Sequence, residues 1–427
     1  MIGPISKPSV QTLTKIFEYT LFSRSNLGTL PQDFADLNFL SAPAYRLTKS
    51  LLRFVMLGQE ARTAMTIVLS RFPVVNFYCE YVILSASSNG DSVKVLVDVP
   101  EIYAIEMNHC ARIGRVVHLD ENELDYDPFI FTHFSNFEEI EYFHQGGVSE
   151  PGHPEEERNL AHSIEMITNC VKSQKLRRLK DPGQALAGAA EILNGYYLDE
   201  LHCYPAAIEF LQEAECVLKV GVLYYDTYFW NPPNVFNKID TEDIMINVRT
   251  RMEPPGPELH QALTVNRINI YIEYNLYFEN LFAFCAKTFP NLHSVITKTS
   301  FKMNILGAYE SENPISSLGE VGENLERCFA FVRNVEAHMI EAKNTYKQDA
   351  DIKFQIKVWW PTYDVMPAEQ PELAHAICSG MLARYNHEYS TSQTDSITDA
   401  APPKRLENGI VRTRYVEGYH VVLESNY

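Results

Sequence analysis

The chain predicts a predominantly α-helical fold with a minor β component, an α+β arrangement. Three observations carry that expectation. Apolar residues return at helical spacing in several long stretches, prolines stand where helices begin, and strict alternation is confined to short runs. At 427 residues the chain exceeds what one core usually serves, so two domains, or one with a large insertion, are expected.

The first helix follows Ser9, a natural N-cap, and carries Val10, Leu13, Ile16, Phe17 and Leu21. Gly28 and Pro31 end the pattern. A second helical region spans about 44–69 with an interruption near Gly58. Its apolar members include Leu51, Phe54, Met65 and Leu69, and Arg46, Lys49, Arg53, Arg62 and Arg71 lie between them. The period then shortens to two. Residues 74–84 are β-branched and aromatic, and Val93, Val95 and Val97 alternate after Ser88-Asn89-Gly90-Asp91, which predicts a hairpin and then a strand over 112–119.

Residues 120–157 hold many acids, Glu138, Glu139 and Glu141 among them, and no Lys or Arg. Mutual repulsion leaves such a stretch exposed or paired with a basic partner, and it reads as a surface excursion with a boundary at 145–154. Glu155, Glu156 and Glu157 suit the first turn of a helix that runs to about Lys172. The densest basic run follows, with Lys172, Lys175, Arg177, Arg178 and Lys180. Compensation of a helix C-terminus and contact with RNA phosphates both account for it. Pro182 and Pro205 open further helices, the latter reaching Leu218. Tyr224, Tyr225, Tyr228, Phe229 and Trp230 then precede Pro232-Pro233, and form either an interface or a core corner.

Residues 259–284 read as a long helix, although Ile268 to Glu273 alternates with strand period. Val321, Leu325, Cys328, Phe329, Val332, Val335 and Met339 make a clear helical stripe. A strand over 353–360, a helix over 371–385 and a polar tail with an apolar end complete the chain. The expected organisation is a helical part with a small hairpin (1–119), the acidic excursion (120–157), a helical core (158–300), and a second helical region with one or two strands and an extended tail (301–427). No internal repeat is evident.

The net charge of −19 opposes broad gripping of phosphates but allows a container for nucleic acid. Eight cysteines are widely spaced and never form CxxC, as expected of buried thiols in a reducing compartment. The start lacks a secretory pattern, Ile2 stands where myristoylation needs glycine, and no apolar run is long enough to span a bilayer, so no membrane partner is expected. Nucleophile elbow, phosphate loop and paired-cysteine knuckle are all missing. His375 and Cys378, three apart, find no matching donor pair, and Gly319 and Gly322 lack the preceding strand of a phosphate loop. No catalytic residue, cofactor or metal ligand is assigned.

Met252-Glu253-Pro254-Pro255-Gly256-Pro257, leading into the aromatic stretch, resembles the Pro-Gly-Pro segment of capsid proteins from partitivirus-like double-stranded RNA viruses. Pro255, Gly256 and Pro257 carry that resemblance. It implies a structural protein, not an enzyme, with a capsid shell-type helical domain and a protruding or inserted second domain. It also implies homodimers that close into an icosahedral shell, weak contact with genomic double-stranded RNA, an enclosed RNA-dependent RNA polymerase, and residence in the virion after assembly in host cytoplasm. Two other classes remain open: a cytosolic hydrolase or transferase with a dispersed site, and a helical adaptor or scaffold that uses the Tyr224–Trp230 segment.

Overall fold

The computed structural model describes residues 8–29, 43–78, 82–86, 93–118, 132–144, 154–204, 208, 211, 216–226, 236–248, 261–273, 278, 280–302, 318–343, 350–359, 371–389, 404–406, 409–416 and 419–426. The chain divides into two compact units, Met1–Leu201 with Glu213–Leu218, and His202–Gln212 with Lys219–Tyr427.

The first unit begins with α1 (Val10–Leu21), β1 (Leu27–Thr29), β2 (Pro43–Leu47), α2 (Leu52–Val55) and α3 (Gln59–Leu69). Ser9 caps α1 by accepting from the Thr12 N–H at 3.2 Å, and Leu13 packs on Ala61 and Ala64 of α3. Then come β3 (Val74–Phe77), β4 (Val82–Ser85), β5 (Lys94–Val97), α4 (Pro100–Cys110), β6 (Ile113–His118), β7 (Glu139–His144), α5 (Pro154–Lys172), β8 (Arg178–Lys180), α6 (Ala185–Gly188), α7 (Ala190–Leu193) and β9 (Tyr197–Cys203). The strands lie in the order β1-β2-β5-β4-β3-β6-β7-β8. From β3 through β6 and β7 to β8 every pairing is parallel and follows chain order.

The side of this sheet that faces the helices holds Val75, Phe77, Val116, Ile140, Tyr142 and Leu179, all buried. Phe77, Phe134 and Phe137 form a ring cluster there, with Phe134 and Phe137 stacked at 5.0 Å. The Tyr142 hydroxyl donates to the Ser163 carbonyl of α5. Gly114 sits under this cluster. A Cβ at that position would come within 2.7 Å of the Phe137 ring.

The second unit contains β10 (Leu218–Asp226), β11 (Ile239–Asp240), β12 (Asp243–Val248), β13 (Arg267–Glu273), α8 (Leu281–Thr288), β14 (Ser294–Lys302), α9 (Leu318–Lys343), β15 (Asp351–Trp359), α10 (Pro371–Glu388), β16 (Lys404–Leu406), β17 (Gly409–Val416) and β18 (Tyr419–Asn426). Its order is β10-β12-β13-β14-β15-β18-β17-β16, parallel as far as β18 and antiparallel beyond. Crossovers between parallel strands are right-handed, so strands that keep stepping the same way send their helices to one face. That face carries Ile244, Ile246, Ile268, Ile270, Phe354 and Leu423, all buried. The helices over it pack side by side. Gly380 of α10 lies so close to Leu325 of α9 that a Cβ would meet its methyl at 2.6 Å, and the Tyr385 hydroxyl reaches the Val421 carbonyl at 3.0 Å.

The sequence-based expectation of a predominantly α-helical fold is therefore wrong. Both units are α/β, each built on a mostly parallel sheet, and in the first unit β3, β4 and β5 are buried on both faces. The error has a local cause. Residues 259–284 lack breakers and were expected to be helical, yet Arg267–Glu273 is β13 and only Leu281–Thr288 is α8. Likewise residues 43–47, expected to open a helix, form β2, and Leu218 begins β10. The expected helices over 10–21, 155–172, 321–339 and 371–385 and the strand over 353–360 correspond to α1, α5, α9, α10 and β15. Strands β4 and β5 pair as the expected hairpin, whose Asn89-Gly90 turn lies outside the described residues.

The steps repeat, although no repeat is visible in composition. Strands β12, β13 and β14 begin at Asp243, Arg267 and Ser294, steps of 24 and 27 residues. Each new strand is entered by the same bond: Asn266 N–H to Glu242 O, His293 N–H to Asn266 O, Asp351 N–H to His293 O. In the first unit Glu138 bonds Arg112, Arg177 bonds Glu138, and Asp199 bonds Arg177 in the same manner. A buried residue three positions before the first inward strand residue recurs at Phe137, Val265 and Leu292.

Two substitutions test this packing by chemical denaturation. Gly114→Ala should destabilise the protein by about 1–3 kcal/mol, because the clustered rings cannot retreat. The Thr297 hydroxyl is buried without a hydrogen-bond partner among the described residues. Thr297→Val keeps its shape and should raise stability by about 1 kcal/mol.

Candidate functional site

The faces turned away from the helices are the distinctive surfaces. In the second unit adjacent strands bring Met245, Asn269, Ile296, Lys353 and His420 into one row and Asn247, Tyr271, Lys298, Gln355 and Val422 into the next. Most of these side chains are half-buried. Cross-strand pairs tie the surface together. Arg267 grips Asp243 through two guanidinium nitrogens, the Nη2 contact being 2.6 Å, and Tyr271 and Ser300 bond through their hydroxyls. Gln355 donates to Glu424 at 2.7 Å, and Lys357 lies 3.4 Å from the same carboxylate. Lys298 and Lys353 make no ion pair among the described residues.

The corresponding face of the first unit is a charged ladder. Asn76, Arg115, Glu141 and Lys180 share a row. Arg115 pairs with Glu141 at 2.9 Å, while Glu139 takes Arg178 at 2.8 Å and Lys180 at 2.7 Å. The Glu139 side chain is 6% exposed, so its charge is stabilised by these partners and not by water.

The predicted basic run is thus divided. Arg178 and Lys180 belong to β8 and neutralise an acid from the stretch expected to need a basic partner. Lys172 closes α5, and Lys175 and Arg177 are exposed on the turn that follows. Beside that turn lies a concavity of ≈670 Å³ lined by Lys172, Gln174, Arg177, Asn194, Tyr196 and Tyr197, among others. Sequence reasoning missed the last three; the only local signal was the Asn194-Gly195 turn, where Gly195 holds φ +78°.

The predicted aromatic interface is divided too. Tyr224 stands on the open face opposite Met245 and stacks on His202 with centroids 4.0 Å apart. Tyr225 points into the core against Phe236 at 5.2 Å. Tyr228, Phe229 and Trp230, and the motif Pro255, Gly256 and Pro257, lie outside the described residues. So do the side chains of His375 and Cys378.

Among the described residues no group of three or more His, Cys, Asp or Glu is placed to hold a metal. No described helix is long and apolar enough to cross a membrane. The described cysteines are buried and unbridged. Burial pushes the Cys110 thiol up to about 11 and those of Cys170 and Cys328 up to about 12, which keeps them protonated and unreactive at neutral pH.

Compared with known proteins, the chain matches no family model, no curated protein and no solved structure.

The ladder yields two expectations. Glu139→Ala leaves Lys180 without its counter-charge and should cost about 2–3 kcal/mol in a denaturant melt, well above the effect of an exposed control such as Glu60→Ala. The raised thiols add an alkaline limit. An unfolded thiol ionises near its ordinary value while the folded one cannot, so the stabilisation present below about pH 9 is lost as pH climbs through about 9–12. Thermal melts across that range should show the decline, and Cys170→Ala should flatten part of it.

Proposed function

We propose that this chain is a non-catalytic scaffold that holds a partner protein on the strand-lined face of its second unit. The observation that carries the proposal is the one-sided sheet. Parallel sheets ordinarily have helices over both faces, whereas here strands in chain order leave one face half-exposed. Stacked β/α steps of this kind build extended binding surfaces in solenoid proteins. The surface suits the role chemically. Tyr224, Tyr271 and Met245 offer large contact groups, the amides of Asn247, Asn269 and Gln355 offer hydrogen bonds, and Lys298 and Lys353 invite acidic side chains. The partner surface is accordingly acidic with apolar points.

The scaffold class was one of the alternatives open at sequence level, and its interface migrates from the 224–230 segment to the open face, with Tyr224 common to both. The capsid reading loses the helical shell domain it expected, while the Pro-Gly-Pro resemblance, the chain length and the Tyr and Phe content it also rested on are unaffected.

Native mass spectrometry and lysine cross-linking test the scaffold proposal together. A single-chain mass, with partner cross-links concentrated on Lys298, Lys353 and Lys357, is the expected result. Lys298→Glu combined with Lys353→Glu should abolish those cross-links and lower partner affinity at least about tenfold, with the melting temperature unchanged. A closed assembly of many copies, or cross-links restricted to the helical side, would overturn it.

A further inference from the structure

We propose that the concavity beside the α5–β8 turn binds a nucleotide, its phosphate held by Lys172 and Arg177 and its base laid against Tyr197. The space of ≈670 Å³ falls within the about 300–1,000 Å³ typical of small-molecule sites. Its chemistry is unusual for an acidic chain. Lys172 and Arg177 make no ion pair among the described residues, although the protein carries a net charge of −19. Their neighbours Arg178 and Lys180 behave otherwise, being engaged by Glu139.

Compensation of the α5 dipole accounts for Lys172 at the last turn but not for Arg177, which lies beyond the helix on the approach to β8. A guanidinium and an ammonium lining one hollow match an anion with several oxygen acceptors, such as a phosphate.

The walls are shaped by backbone as well as side chains. Gln174 stands at φ 58° and Gly195 at φ +78°, so both turns fold back around the opening. A Cβ at Gly195 would touch nothing within 4 Å, so glycine is there for conformation and not for room. The Tyr196 hydroxyl donates to the Leu176 carbonyl at 2.7 Å, which fixes that ring as a wall. Tyr197 is 53% exposed and presents a ring on which a base can stack. The Gln174 and Asn194 amides supply donors and acceptors for a base edge. Cations for a phosphate, a free aromatic face and amides around one hollow together specify a nucleoside phosphate, free or as a unit of a single strand. This site is separate from the open face of the second unit and does not depend on the scaffold proposal.

Calorimetric titration of the full chain with adenosine monophosphate is expected to saturate, while adenosine and inorganic phosphate each bind at least about tenfold more weakly. Lys172→Ala with Arg177→Ala should reduce nucleotide affinity at least about tenfold, and Tyr197→Ala by about fivefold or more. All of these residues are exposed, so unchanged melting confirms that the variants remain folded. A short single-stranded oligoribonucleotide run in parallel separates the two sources. Binding of both ligands assigns the site to free nucleotides, and binding of the strand alone, with a steep salt dependence, assigns it to nucleic acid. No binding of either at millimolar concentration, binding of phosphate as tight as that of the nucleotide, or undiminished binding by the folded double variant would overturn the proposal.

Discussion

One constraint organises the second unit and the β3-β6-β7-β8 part of the first: consecutive parallel strands that step in a single direction. Crossovers between parallel strands are right-handed as a rule, and a constant direction of travel stacks them on the same side. The chemistry of the rest follows. In the second unit most residues pointing toward the helices are apolar, as in the isoleucines of β12 and β13, whereas most residues pointing away are half-buried beside their cross-strand neighbours. The outward face is therefore stable only if its polar groups satisfy one another sideways. Arg267 with Asp243, Gln355 with Glu424 and Arg115 with Glu141 are the local solutions.

This explains why charged segments that look like independent surface features in the sequence are one structural device. The acidic stretch before α5 and the basic run after it are separated by a whole helix, yet β7 and β8 are neighbours, with Glu139 directly opposite Arg178. A parallel pair needs such a crossover, so its partners are always distant in sequence. Their complementarity is invisible until the register is known. Removing Arg178 and Lys180 from the pool of free cations also narrows the meaning of the basic run to the residues that precede β8.

The legible parts of the fold were those whose signal is local. Ser9 at an N-cap, the Val321–Met339 stripe and the antiparallel pairing of β4 with β5 each follow from signals within about two dozen residues. The strands of the second unit were harder to read for a physical reason. Their outward positions hold Met245, Ile296 and Tyr271, large groups that blur the contrast between faces, so Ile268 to Glu273 looked like the middle of a helix. The repeat was hidden because its constant element is backbone: an N–H reaching the previous step's carbonyl leaves no side-chain trace. The concavity was half legible, since its cations were evident and its tyrosines, about twenty residues further on, arrive through α6, α7 and a left-handed glycine.

The distribution of charge gives the open face of the second unit its direction. A protein with this excess of acid repels most acidic partners at long range, so a cationic strip on it works only at close approach, within about a Debye length of 8–10 Å. Lys298 and Lys353 lie on neighbouring strands, one register step apart, with Tyr271 and Ile296 beside them. An acidic group seated there exchanges water for ammonium groups flanked by apolar surface, where the local dielectric is lower than at an isolated lysine. In the scaffold proposed above, Glu424 and Asp243 are already engaged by Lys357 and Arg267, so the preference for a concentrated negative charge would rest on Lys298 and Lys353.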